Sequence, residues 1–111
     1  MAKNIFKGAL PKPPLKMVIL SADEGLIDYV EEAFAKLEIR GYTRIDNSKG
    51  QGSVEGEPHL GTHIWPGLNF LFFIVTNADT ASRLMDEIRV IDQREGKPGI
   101  RAFLLNVEDM T

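Results

Sequence analysis

"LNFLFFIVT", residues 68–76, is the strongest strand-forming stretch of the 111-residue chain. Successive strand residues point to opposite faces of a sheet. Phe70, Phe72 and Ile74 therefore share one face, while Leu71, Phe73 and Val75 share the other. Both sets are apolar, and a strand apolar on both faces needs cover on both sides. The question for the rest of the chain is what supplies the two covers.

Upstream, "LKMVIL" (15–20) reads as a strand. Ser21 and Glu24 form an S-x-x-E capping box that opens a helix. Leu26, Ile27, Val30, Ala33, Phe34 and Leu37 recur at helical spacing as one apolar stripe, and Gly41 is placed to end the element. "YTRID" (42–46) alternates as a second strand. Beyond the central stretch, Asn77 or Thr76 caps a second helix with Ala81, Leu84, Met85, Ile88 and Ile91 on its buried side. "EGKPG" (95–99) is a turn, and "IRAFLLNV" (100–107) is the last strand. The order βαββαβ predicts an α+β, ferredoxin-like fold: a four-stranded antiparallel sheet with two helices on one face. Helices then cover one face of 68–76 and leave the other bare. A second copy of the same sheet is the simplest cover, so a homo-oligomer is expected.

Residues 1–14 read as an N-terminal arm, because Pro11, Pro13 and Pro14 exclude helix and sheet ladders there. The domain proper is expected over 15–111. A domain of this size buries only roughly 60 to 70% of its unfolded surface, which also favours assembly.

Thirteen Lys and Arg against sixteen Asp and Glu give a net charge of −3. There is no overall cationic field for nucleic acid or anionic lipid, and no interleaving of aromatic and basic residues along the strands. No apolar run reaches the roughly 18 to 20 residues of a membrane span. Cysteine is absent, which excludes disulfides and thiol chemistry and fits a cytoplasmic location.

The stretch from Arg44 to Phe70 holds five of the ten glycines, both histidines and the only tryptophan, so a long connection interrupts the sheet there. "KGQG" (49–52) presents Gly50 and Gly52, whose backbone amides can cradle an anion; a plain hairpin loop uses the same residues. "EGKPGIR" (95–101) sets Lys97 and Arg101 around two glycines, a combination suited to phosphate, or to a helix end with a solvated lysine. His59 and His63 are four apart, but Gly56, Pro58 and Gly61 forbid the helix that would give this spacing metal geometry. Trp65 beside Pro66 can stack on a base or anchor the return of the loop. No catalytic acid, base or nucleophile set stands out, and no enzyme is expected.

In this order and spacing the elements resemble the PII nitrogen-regulatory superfamily over residues 15 to 109. "EIRGYT" leading into "KGQG" is similar to the family's "GIRGLT" leading into "RGFGRQ". "IWPG" resembles the return of its T-loop, and "GKPGIRAF" its B-loop "GKIGDGKIF" with one residue missing. The resemblance implies a signalling trimer that binds ATP or ADP, with AMP as a further candidate, between subunits. It implies Thr43 near the adenine, Gly50 and Gly52 at the nucleotide, and Lys97 and Arg101 near the phosphates. The 47–64 segment becomes a shortened T-loop that grips a target protein; its glycines, and the presence of only Val54, Leu60 and Ile64 as apolar anchors, predict that it is mobile without a partner. The loop has no tyrosine, so uridylylation has no acceptor there. Ser53 replaces an arginine, the B-loop's Gly-Asp-Gly is lost, and the chain ends before the family's C-terminal arginine-bearing loop. The resemblance is therefore to a PII-like protein rather than a standard PII. A CutA-type metal-associated trimer and a small ferredoxin-like enzyme are the alternatives.

Overall fold

The computed structural model describes residues 11–48, 50–51, 58–59, 68–94 and 99–111. Strand β1 (Leu15–Asp23) leads through a 3-10 turn (Glu24–Leu26) into helix α1 (Ile27–Lys36). Strand β2 (Thr43–Ser48) follows, then the short strands β3 (Gly50–Gln51) and β4 (Pro58–His59). Strand β5 (Asn69–Asn77), helix α2 (Ala78–Asp92) and strand β6 (Ile100–Val107) complete the chain. The main sheet is antiparallel in the order β2-β5-β1-β6, and β3 pairs with β4 as a separate two-stranded ribbon. This is the expected α+β, ferredoxin-like arrangement, with β2 and β6 at opposite edges.

The core lies between the sheet and its two helices. Val18, Leu20 and Ala22 of β1 join Phe72 and Ile74 of β5 and Ile100 of β6. Val30, Ala33 and Phe34 of α1 and Ala81, Leu84, Ile88 and Ile91 of α2 close over them, as the two stripes require. The Phe72 ring meets the Phe34 and Tyr42 rings edge-on, at 5.3 and 5.6 Å between centroids. Phe70, Phe72 and Ile74 thus belong to the helix face, which leaves Leu71, Phe73 and Val75 on the other. Asn77 caps α2, its side-chain oxygen accepting from the Thr80 amide at 2.8 Å.

Two helix boundaries differ from the sequence expectation. The S-x-x-E box does not form, because β1 runs through Ser21 to Asp23 and pairs along that length with β5. Asp23 caps the turn instead, accepting from the Gly25 amide at 2.8 Å. Helix α1 ends at Lys36, well before Gly41. Glu38 takes a left-handed φ of 58°, and its amide donates to the Ala35 carbonyl while Ile39 donates to Phe34. That pattern is a Schellman motif with glutamate at the position where glycine is preferred. Glu38→Gly is expected to raise stability by about 1 kcal/mol, the cost of left-handed backbone for a residue with a Cβ. Gly41 needs no such freedom, since a Cβ there meets nothing within 4 Å. Gly41→Ala should therefore be neutral or slightly stabilising. Urea denaturation of the two variants checks both statements; a destabilised Glu38→Gly contradicts them.

β2 also runs further than "YTRID", to Ser48, with an irregularity in its pairing between Ile45 and Ser48, where Asn47 has a φ of 60°. The 47–64 segment is not wholly irregular, because β3 and β4 lie within it. Most of it, the 1–10 part of the arm and residues 95–98 fall outside the described residues, and the expected mobility of the loop falls outside with them. The carbonyl of Pro14, next to β1, accepts from the Ala78 amide at 3.1 Å.

Candidate functional site

The sheet face without helices carries a nearly unbroken apolar surface. Strand register places Thr43, Phe73, Ile19 and Phe103 in one row across β2, β5, β1 and β6. Ile45, Leu71, Ser21 and Arg101 form the next row. Val75, Met17 and Leu105 form a third. Phe103 is 58% exposed, Ile45 47% and Leu105 43%. In a single chain this is an unusual amount of large apolar side chain left to water on one face.

Thr43 and Arg101 both lie on this face but at opposite edges. Three strand spacings separate the edges, about 14 Å at about 4.8 Å each. One chain therefore does not bring the two residues to one small ligand. Gly50 opens β3 just past the end of β2 and pairs with His59. Gly52 and Lys97 lie outside the described residues, as do His63 and Trp65. Among the described residues no group of three or more His, Cys, Asp or Glu could hold a metal.

One end of the sheet gathers the loop roots. β1 and β2 end there, and β5 and β6 begin there. The Asp23 amide donates to the Gly99 carbonyl and the Glu24 amide to the Leu68 carbonyl, each at 2.7 Å. The Ser48 hydroxyl donates to the Asn69 carbonyl at 3.0 Å. The end of β1 and the turn after it thus tie together the segments leading into β5 and β6, at Leu68 and at Gly99.

Sequence reasoning passes over two features near this end. Ser21 lies opposite both Arg101 and Leu71, where the local pattern points to a helix cap instead. On the helix face, the Arg44 guanidinium stacks 4.6 Å from the Phe70 centroid and donates to Asp46 at 2.7 Å. The hydrogen bond to Asp46 holds the Arg44 pKa above its ordinary value. The alternation R-x-D on an edge strand was the available signal for that pair.

Solved structures share this architecture. The chain aligns with a PII-like signaling protein from Thermus thermophilus at 21% identity and a TM-score of 0.58, covering 84% of this chain and 86% of that one. It aligns with CPII from Thiomonas intermedia, bound to ADP and bicarbonate, at 13% identity and a TM-score of 0.63, covering 86% and 89%.

The fold is that of the PII-like proteins.

Arabidopsis thaliana PII, bound to citrate, shares the PII-like fold at 20% identity and a TM-score of 0.60, covering 85% and 78% of the two chains. No family model matches the chain, and no curated protein does. Among the described residues no helix is long and apolar enough to cross a membrane.

Proposed function

We propose that this chain is a cytoplasmic PII-like signalling protein. It assembles as a homotrimer through the bare sheet face, senses a small anion such as an adenine nucleotide, and acts on a partner protein through the 47–64 loop. The domain over 15–111 forms the trimer body, preceded by the arm over 1–14. Nitrogen regulation is the family setting of such a role, and it needs no catalytic group on this chain.

The observation that carries the proposal is the placement of Thr43 and Arg101 on one uncovered face at opposite edges. Subunits packed with the β2 edge of one beside the β6 edge of the next bring the two together. Thr43, Gly50 and Gly52 then meet Lys97 and Arg101 across a subunit cleft. Backbone amides and two cations around one volume suit phosphate or carboxylate, and charge-assisted hydrogen bonds are roughly twice as strong as neutral ones. The PII-like structures described above add independent support, since their ligands ADP, bicarbonate and citrate are all anions.

Calorimetry of the purified chain with ATP, ADP, AMP, bicarbonate and citrate tests the reading. Binding of at least one is expected, and Arg101→Ala should weaken it by about 1.5 to 3 kcal/mol, the worth of a hydrogen bond to a charged group. Unchanged affinity in that variant, or no binding of any of these anions at millimolar concentration, would count against the site.

A further inference from the structure

We propose that the end of the sheet opposite the loop roots holds a second ligand site, which takes a small organic cation: a protonated amine on a short apolar body.

β1 begins and β6 ends there, with Leu15 and Val107 paired. The segment before β1 and the segment after β6 border a cavity of about 540 Å³. Pro11, Pro13, Pro14 and Leu15 form one wall, and residues 106–111 form the other. Sites for small ligands span about 300 to 1,000 Å³, so the space suits a molecule rather than a single ion. At about 3.3 Å per residue, the nine residues of β1 put it roughly 26 Å from the loop roots.

Both walls are held in place. The Pro14 carbonyl accepts from the Ala78 amide at 3.1 Å, which pins the proline wall to the start of α2. On the other wall, the Asn106 side chain accepts from the Lys16 ammonium, and Asp109 accepts from the Met110 amide at 2.8 Å. Proline rings fix φ, so the first wall has little freedom left to lose when a ligand binds.

The polar lining is one-sided. A proline offers a carbonyl and no N–H. Glu108 and Asp109 add two carboxylates, and no lining residue is a cation. The nearby Lys16 ammonium is bonded to Asn106, and Lys12, between Pro11 and Pro13, does not line the cavity. An anion would meet two like charges here, and a neutral molecule would leave both carboxylates to water. An ammonium donates to carboxylate and carbonyl oxygens together, in charge-assisted bonds. Its apolar body then covers Leu15, Val107 and Met110, of which Met110 is 43% exposed. The charge preference is the reverse of that proposed for the loop-root end.

The test is amide NMR of the full chain near neutral pH, titrated with hexylamine, hexanol and hexanoate at matched ionic strength. The three share one apolar body and differ in charge, the amine being protonated at that pH. Hexylamine at millimolar concentration should shift the amides of Leu15 and of residues 106–111, hexanol should do so more weakly, and hexanoate should not. Glu108→Gln and Asp109→Asn should each weaken hexylamine binding about two- to fivefold, the range of an exposed ion pair. The double variant should bind hexylamine no better than hexanol. Both positions are exposed, and asparagine at 109 can still accept from the Met110 amide, so the native amide spectrum should persist. Equal binding of hexylamine and hexanol, an unchanged affinity in the double variant, shifts centred elsewhere on the chain, or no shift with hexylamine would each overturn the site. None of these outcomes depends on the anion cleft at the other end.

Discussion

Phe73→Asp should give a folded monomer in place of an assembly. Phe73 sits in the middle of the uncovered face, in register with Thr43 on one side and Ile19 on the other. In the separate chain a carboxylate there reaches water, and the helix-side core beneath it is untouched. The loss of an aromatic residue from a strand costs up to about 1 kcal/mol. In an assembly closed over this face, the same carboxylate is buried without a partner in every subunit. An uncompensated buried charge costs several kcal/mol at least, more than a well-packed contact returns. Light scattering should report the mass of one chain, with native circular dichroism. A variant that stays assembled at micromolar concentration would remove the bare face from any role in association.

The neighbouring residue gives the opposite result. Phe72→Ala should leave whatever assembly survives without a sound fold. Phe72 is fully buried, and its ring touches both the Phe34 ring of α1 and the Tyr42 ring just before β2. Truncating a core phenylalanine costs about 3 to 5 kcal/mol, through lost transfer energy and the cavity left behind. Domains of this kind have about 5 to 15 kcal/mol in total. Urea denaturation should show a midpoint lowered accordingly, without a comparable loss at low denaturant for Phe73→Asp. A loss below about 1 kcal/mol would mean that Phe34 and Tyr42 collapse into the space. Two adjacent residues of one strand thus separate folding from association.

That separation was half visible in the sequence. The alternation in "LNFLFFIVT" showed two apolar faces and therefore a missing cover. It did not show which face the helices take, because Phe, Leu, Ile and Val occupy both and only pairing with β1 decides. Pairing also explains the error at Ser21. The S-x-x-E pattern is a sound local cap signal, but Ser21 has strand partners on both sides, Leu71 and Arg101, and two ladders outweigh one cap. Gly41 failed as a helix end for another reason: glycine is the preferred residue for a left-handed cap, yet packing of Ile39 and Phe34 set the end earlier and Glu38 took the strain. Thr43 and Arg101 were singled out by resemblance and by the glycines around them. Their sharing of one face was not legible, since it depends on register carried across four strands from residues far apart in the chain.

The paired backbone bonds from the turn after β1 bear on how such a chain can diverge. Donor and acceptor in both are main-chain atoms, Asp23 to Gly99 and Glu24 to Leu68, so no side-chain identity is needed to keep them. Between fixed roots, changing the length of a connection costs little, about 0.6 kcal/mol for each doubling. The end of the sheet therefore works as a socket. Segments can be shortened, lengthened or exchanged in it by descent or by grafting, while the sheet that presents them keeps its geometry. A new partner then requires only a new insert.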